Sequence, residues 1–333
     1  MMRPMEERHR FDVVTLGECL AAFVATNPGP FAEATLFEWH VAGAEANVAV
    51  GLARLGRSVA YIGRVGDDGF GTAITRALRG EGVDLAHLAV DRNARTGVMF
   101  RERRVLGAMD VVYHRSGSAG SRLSIEDVDR ANEAGVIRGA RWVHLTGITP
   151  ALSPSARAAV DRARELARDA GATVSLDLNL RRRLWSEEEA ARVLRELASE
   201  VDVVLGSVDE LALVAGTDQD RDPEEIVAVV SELGPSTVVA KLGATGAIGL
   251  EEGGRPVHAP AFDVPVVVDP VGAGDAFCAG FIAARLEGTD LATALRMGNA
   301  CGALAAAASG DQAGLPDRAE LGRFLAGGPD TLR

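Results

Sequence analysis

The sequence predicts an α/β fold: a mainly parallel central sheet with helices on both faces, carrying a small β-sheet lid. Three observations lead there. Strand-like and helix-like segments alternate along most of the 333 residues, two extended stretches interrupt that alternation, and a chain 47% apolar and 25% charged has an ordinary soluble globular composition. Alternation of this kind places parallel strands beneath two layers of helix. The core is expected to comprise residues 1–18, 43–94 and 118–333, and the two insertions 19–42 and 95–117 to pair as the lid. A sheet with one free face commonly finds a partner, so a homo-oligomer is expected, either a dimer through the lid or something larger.

The elements follow in order. Residues 13–17 (VVTLG) read as a short buried strand, and 20–24 and 36–41 as extended segments parted by a Pro/Gly turn at 27–30. Apolar residues at helical spacing mark a helix over 47–55, with Gly56 as its stop. A strand is read at 59–63 and a helix at 70–78, ended by Gly80. The β-like segments 96–104 and 111–115, joined at Leu106-Gly107, form the second interruption. The alternation then resumes with a strand at 142–145, a helix at 155–170 stopped by Gly171, and a strand at 173–179. Ser186 and Glu189 have the spacing of a capping box that opens a helix to about Ser199. A strand at 201–205 precedes Asp222-Pro223, which opens another helix with proline at its first position. Residues 237–241 and 247–250 are the last clear strands, and the β-branched run 264–268 suits a strand or its exit.

Charge and composition exclude several function classes. With 35 basic and 47 acidic residues the net charge is −12, which argues against nucleic acid or an anionic membrane as the main partner. The leader 1–10 is polar with no secretory-type apolar stretch behind it, and is read as a frayed tail. No apolar run reaches the ~18–20 residues needed to span a bilayer, and the Ala-rich stretch 300–308 reads as a packed helix. Cys19, Cys278 and Cys301 lack metal-type spacing and fit buried small side chains in a reducing compartment, so a cytoplasmic protein is expected. Lys241 is the only lysine. That bias reflects codon usage, or else a place where a compact ammonium suits better than a guanidinium fork.

The stretch 268–277, VDPVGAGDAF, is the centre of the reading. Gly272-Ala273-Gly274 permits a tight turn, and the apolar segment 276–286 reads as a buried helix ended by Gly288. Asp275 therefore falls at or near a helix N-terminus. The first N–H groups there lack internal partners and carry the positive end of the macrodipole, so the turn is a phosphate cradle in waiting. The same field is expected to keep Asp275 ionised, able to accept a hydroxyl proton during phosphoryl transfer. The plainer alternative is an N-cap beside an ordinary turn. Elsewhere, Gly43 and Ala44 before Asn47 let a sugar approach the backbone at a helix start, or form a simple cap and turn. Tyr113 and Arg115 project to one strand face, with His114 on the other, and arginine grips carboxylates bidentately. Asp177, Asn179 and Arg181 end a buried strand, where open α/β sheets place ligands, while Arg182 and Arg183 read as solvated charges. No G-x-x-x-x-G-K-[ST] occurs, no G-x-G-x-x-G follows the first strand, and the histidines show no metal spacing.

GAGDAF after Asp269, together with AGAEANVAVGLARLG at 42–56 and the continuation Ile62 to Asp68, closely resembles the signatures of the ribokinase/PfkB family of sugar kinases. The resemblance covers nearly the whole chain and implies a ribokinase-like fold. It implies Asp275 as the base and Gly272, Ala273 and Gly274 as the anion hole, though Pro270-Val271 stand where many members have two threonines. Within the family, GAEAN, Tyr-x-Arg-x-Gly-Ser, Gly147 to Pro150, Asp-x-Asn-x-Arg before Leu184-Trp185, and DPVGAGD are similar to the 2-keto-3-deoxygluconate kinases. That likeness implies a sugar acid held by Gly43, Asn47, Tyr113, Arg115, Arg181 and Asp311, with Met99 where an aromatic is common. For the nucleotide it implies Asn179, Ser207, Lys241, Gly243, Gly246 and Asn299, with Ser207 standing where relatives often have Asn. Glu210 would order Mg2+ through water; ATP is the expected phosphoryl donor, and a monovalent cation is left open. The expected reaction is ATP-dependent phosphorylation of the terminal hydroxyl of 2-keto-3-deoxygluconate. The rivals are a neutral-sugar kinase of fructokinase or ribokinase type and a non-catalytic nucleotide or sugar sensor of the same fold.

Overall fold

The computed structural model describes residues 10–103 and 110–327. Strand β1 (Phe11–Gly17) enters the centre of a sheet, and the chain then leaves it for β2 (Leu20–Pro28) and β3 (Phe37–Ala42) before helix α1 (Ala44–Arg54) returns it. Strand β4 (Val59–Gly66), helix α2 (Gly69–Gly80) and strand β5 (Leu88–Asp91) complete one edge. Strands β6 (Gly97–Arg103) and β7 (Val111–His114) form the second excursion, and the expected join at Leu106-Gly107 lies outside the described residues. Alternation resumes through α3 (Ile125–Glu133), β8 (Ala140–Thr146), α4 (Pro154–Asp169), β9 (Thr173–Asp177), α5 (Glu187–Ala198) and β10 (Val203–Ser207). The rest is α6 (Val208–Ala215), α7 (Pro223–Ser231), β11 (Thr237–Lys241), β12 (Gly246–Glu251), β13 (Val257–Pro260), α8 (Ala273–Leu286), α9 (Leu291–Ala306) and α10 (Arg318–Leu325).

The nine-stranded sheet runs β13-β12-β11-β10-β9-β8-β1-β4-β5 and is parallel except at β12 and β13. Successive side chains of a strand alternate faces, and the core divides accordingly. Val14, Val143, Val174, Val204 and Val238 face α3 to α7, while Val13, Trp142, Val203, Val239 and Ala247 face α1, α2, α8 and α9. The two excursions meet in a separate sheet of order β3-β2-β6-β7, with β2 and β6 parallel and the outer pairs antiparallel. The expected α/β arrangement is therefore present: a mainly parallel sheet covered on both faces, with a small separate sheet as its lid.

Local readings fail in two places. Residues 264–268 are not a strand: Pro265 and Pro270 bracket the run and cannot donate to a ladder, and Val266, Val267 and Val268 are 67%, 58% and 42% exposed. The strand before α8 is instead β13. At Ser186 only half of the capping box is recorded, its side chain accepting from the N–H of Glu189.

Candidate active site

The C-terminal ends of the parallel strands and the N-terminus of α8 converge on one place, as open α/β sheets arrange it. Gly272 is the N-cap of α8 at φ 82, a conformation natural to glycine, and a Cβ there would stand 2.6 Å from the carbonyl oxygen of Asp311. Asp275 lies in the first turn, 8% exposed. Asn47 donates to its Oδ2 at 2.8 Å and Asn179 to its Oδ1 at 3.3 Å. Asn179, just past β9, has φ 37, the one positive value outside glycine among the described residues. Asn47 also accepts from Gln312 at 3.0 Å, so its amide is used on both sides. It sits a turn into α1 rather than at the start, where Gly43 is the N-cap at φ 133 with room for no Cβ, the Glu18 carbonyl being 2.3 Å from that position.

The charge around Asp275 corrects one expectation. Its pKa is raised from 3.8 to about 7: burial is the largest cause and the Asp177 carboxylate adds to it, while the Asn47 hydrogen bond and the charges of Arg181 and Lys241 offset only part. The helix field does not hold it fully ionised. Lys241, at the end of β11, places Nζ 2.7 and 2.8 Å from the two oxygens of Asp177 and 3.5 Å from a Cβ built on Gly274. Burial works against its charge, but Asp177 outweighs burial and holds its pKa above the ordinary lysine range. Arg181 is exposed, with one 3.4 Å contact to the carbonyl of Leu180, and Arg182 and Arg183 are exposed but paired, with Glu187 and Asp209 and with Asp110 respectively.

Tyr113 and Arg115 form a different group at the lid edge. Arg115 places Nη2 2.5 Å and Nε 2.7 Å from Oε2 of Glu18, whose other oxygen accepts from the Ser118 hydroxyl. Its guanidinium also lies 5.5 Å from the centre of the Tyr113 ring. A cavity of about 1200 Å³ opens beside them, walled also by Arg95, Thr96 and Phe70. Its walls include Arg115 and neither Arg181 nor Asp275, so the two arginines expected to converge do not share this cavity. Met99, buried, lies opposite Tyr113 across the lid.

The residues assigned to the nucleotide are placed as follows. Ser207 and Glu210 form a complete capping box on α6, and Glu210 accepts from the N–H of Ser207 at 2.8 Å and of Leu180 at 2.7 Å. Gly243 opens a short 3₁₀ turn at φ 60, and Gly246 pairs with Pro260. Asn299 donates to the carbonyls of Ala259 and Pro260 at 2.9 and 3.1 Å, tying α9 to β13 beside that turn. Asp311 is buried and its pKa raised, by burial first, against the lowering pull of Arg101. No group of three or more His, Cys, Asp or Glu able to hold a metal occurs among the described residues. The donors fit a cation that keeps its waters and arrives with phosphates, as Mg2+ does. Carboxylates at Glu210 and Asp177 retain lone pairs beyond those their partners use.

Three buried groups escaped the sequence reading. Glu18 and Glu45 are carboxyls 2% and 1% exposed, Glu45 accepting from Thr146 at 2.7 Å and from the Thr149 hydroxyl, and its pKa is raised by burial. Arg101, 1% exposed, crosses from the lid into the core. Its only signal is alternation, since it falls on the same face of β6 as buried Met99.

Residues 10–318 match the pfkB family carbohydrate kinase. The 2-dehydro-3-deoxygluconokinase of Thermoproteus tenax is 41% identical over 317 residues, 94% of each chain. Among solved structures, 2-dehydro-3-deoxygluconokinase from Thermotoga maritima superposes with TM-score 0.85 at 30% identity, covering 95% of this chain and 99% of that one. A putative ribokinase II from E. coli, in complex with ATP and Mg2+, gives TM-score 0.86 at 29% identity over 95% and 99%.

Proposed function

The chain belongs to the pfkB family of carbohydrate kinases, and on that premise we propose that it transfers a phosphoryl group from ATP to the terminal hydroxyl of 2-keto-3-deoxygluconate. The observation that carries the reaction is Asp275, a carboxyl beside the amides of Gly272 to Gly274 with its pKa at about 7. A base poised near the working pH has both a useful ionised fraction and a real affinity for the proton it takes. Asn47 and Asn179 hold its two oxygens by their amide N–H groups, which fixes the carboxylate's direction. The N-terminal amides of α8 and the Lys241 ammonium offer fixed positive charge to the transferring group without reorganisation. Mg2+, when bound, neutralises phosphate charge, and Glu210 is the carboxylate proposed to order its waters. Asn179, Ser207, Gly243, Gly246 and Asn299 would border the nucleotide.

Arg181 is proposed to meet the acid end of the substrate, being exposed and near enough to act on Asp275. Arg115, Tyr113 and Gly43 would take that end from the lid side, and Asp311 would bond a sugar hydroxyl. Arginine at a site in a chain of net charge −12 suits an anionic sugar, and the two 2-dehydro-3-deoxygluconokinases among the relatives are named for such a compound. The outer lid face carries Phe23, Trp39, Phe100 and Val112 in one register row, and a second copy of the chain is proposed to cover it in the cytoplasm. Sedimentation at the mass of one chain would refute that pairing.

A coupled ATP assay across sugar acids and neutral sugars tests the reaction. Turnover should be strongest on 2-keto-3-deoxygluconate. Preference for fructose or ribose, or no sugar-dependent ATP consumption, would remove the reading.

A further inference from the structure

Arg101 is rooted in the lid, yet its charge is used in the core. On β6 it shares the inner face with Met99 and is buried completely. Its Nη2 lies 2.5 Å from Oδ2 of Asp269 and its Nη1 3.3 Å from Oδ1, with Oδ1 of Asp311 3.7 Å away. Asp269 has other duties. Its Oδ1 accepts from the N–H of Val271 at 3.1 Å and its Oδ2 from the N–H of Gly310 at 3.2 Å. Val271 leads directly into Gly272, and Gly310 precedes Asp311, whose carbonyl closes on Gly272. One carboxylate therefore fixes both walls of the turn that begins α8, and a guanidinium from the lid is the cation that compensates it.

Two physical consequences follow. A buried carboxylate without its cation would set a negative charge beside the amides proposed to receive a phosphoryl group. It would also lose the fork that fixes its plane, and with it the aim of its hydrogen bonds from Val271 and Gly310 that shape the turn. Three carboxyls already crowd this region (Asp269, Asp275 and Asp311), and Arg101 is the guanidinium placed against two of them. The side chain also spans two bodies of the fold, since β6 belongs to the small sheet and Asp269 to the segment before α8.

We propose that Arg101 is a positioning residue that couples the seating of lid strand β6 to the shape of the Gly272–Gly274 amide cradle through Asp269. The lid then does more than cover the substrate: docking it sets the donors that hold the transferring group. This rests on the reading of that turn as the phosphoryl site. The effect belongs to the chemical step, so it falls chiefly on kcat; sugar affinity changes far less, since among the proposed sugar contacts Arg101 faces Asp311 alone.

The test has an arm that needs no substrate. In Arg101→Met, a side chain of similar length without charge, amide hydrogen exchange across residues 270–275 and 309–311 should quicken together with β6, while β8 and β9 keep their protection. Unchanged exchange at 270–275 would overturn the coupling whatever the substrate proves to be. In the kinetic arm, kcat should fall by about 100-fold, the scale of a small misplacement in a catalytic site, with the sugar KM within threefold of the parent. Arg101→Ala should recover part of its kcat on addition of methylguanidinium, a rescue that loss of packing alone would not give. A rise in KM with kcat unchanged, or no response to methylguanidinium, would overturn it. Should Arg101→Met not fold, Arg101→Lys, which keeps the charge and loses the fork, is read by the same exchange measurement. A wild-type protein inactive on every sugar would sink the proposed reaction and leave the exchange result standing.

Discussion

The two charged clusters, at the α8 turn and at the lid edge, are built from similar groups in opposite ways. At the lid edge the account is closed: Glu18 has the Arg115 guanidinium on one oxygen and the Ser118 hydroxyl on the other. At the turn, Lys241 is committed to Asp177, and Asp275 is left with amide N–H donors and a distant share of Arg181. Matched charge holds a geometry. Unmatched charge holds a proton. The difference separates a group that must stay where it is from one proposed to change its protonation in every turnover.

The largest expected effect breaks that comparison at its unmatched end. Asp275→Asn should lower kcat by roughly a thousandfold, within the range for losing a general base, while nucleotide affinity measured by calorimetry stays near normal. Stability should move the other way. An acid whose folded pKa lies near 7 keeps its proton while the unfolded chain has lost it, so its contribution falls as pH rises from about 4 through 7. The asparagine variant should therefore melt a few degrees higher than the parent above pH 7, and an equal or lower melting temperature would contradict the raised pKa.

At the matched end the effect is smaller and falls on binding. Arg115→Ala should raise KM for a sugar acid by about 10–100-fold, the worth of a charge-assisted hydrogen bond, and leave kcat for a neutral sugar little changed. Equal losses on both substrates would show that Arg115 serves the lid and not the acid. Arg115→Lys should rescue little, because the ammonium cannot reproduce the fork that meets Glu18. The smallest effect sharpens the boundary between the clusters. The parent's kcat/KM should rise as pH passes about 7, and Asp177→Asn should move that rise to lower pH, since it removes one of the charges that hold the proton on Asp275. A rise that stays in place would mean burial alone sets the value.

Much of the fold was legible because alternation and breakers are local signals. The strands from β1 to β12, apart from the unforeseen β5, and the helix over α8 fall close to their expected places, and the motif positions Asp275 correctly in the first turn. What was illegible depends on partners distant in the chain. Residues 264–268 have strand chemistry, yet the two prolines and a lack of ladder partners leave them exposed. The helix field at Asp275 could be foreseen from spacing, whereas its burial is a property of the packed fold and the Asp177 charge comes from β9. Glu18 and Arg101 have no motif, and Glu45 lies in GAEAN without drawing a role: a charged residue reads as solvent-facing until its buried partner is seen.

One consequence comes from the bias in basic residues. Since Lys241 is the lone side-chain amine and its nitrogen stands beside the α8 turn, a single isotope-enriched amino acid would place one spectroscopic reporter within a few ångströms of the proposed phosphoryl site. The whole-protein spectrum then reduces to one line, from a position where the proposed site would feel a nucleotide arrive.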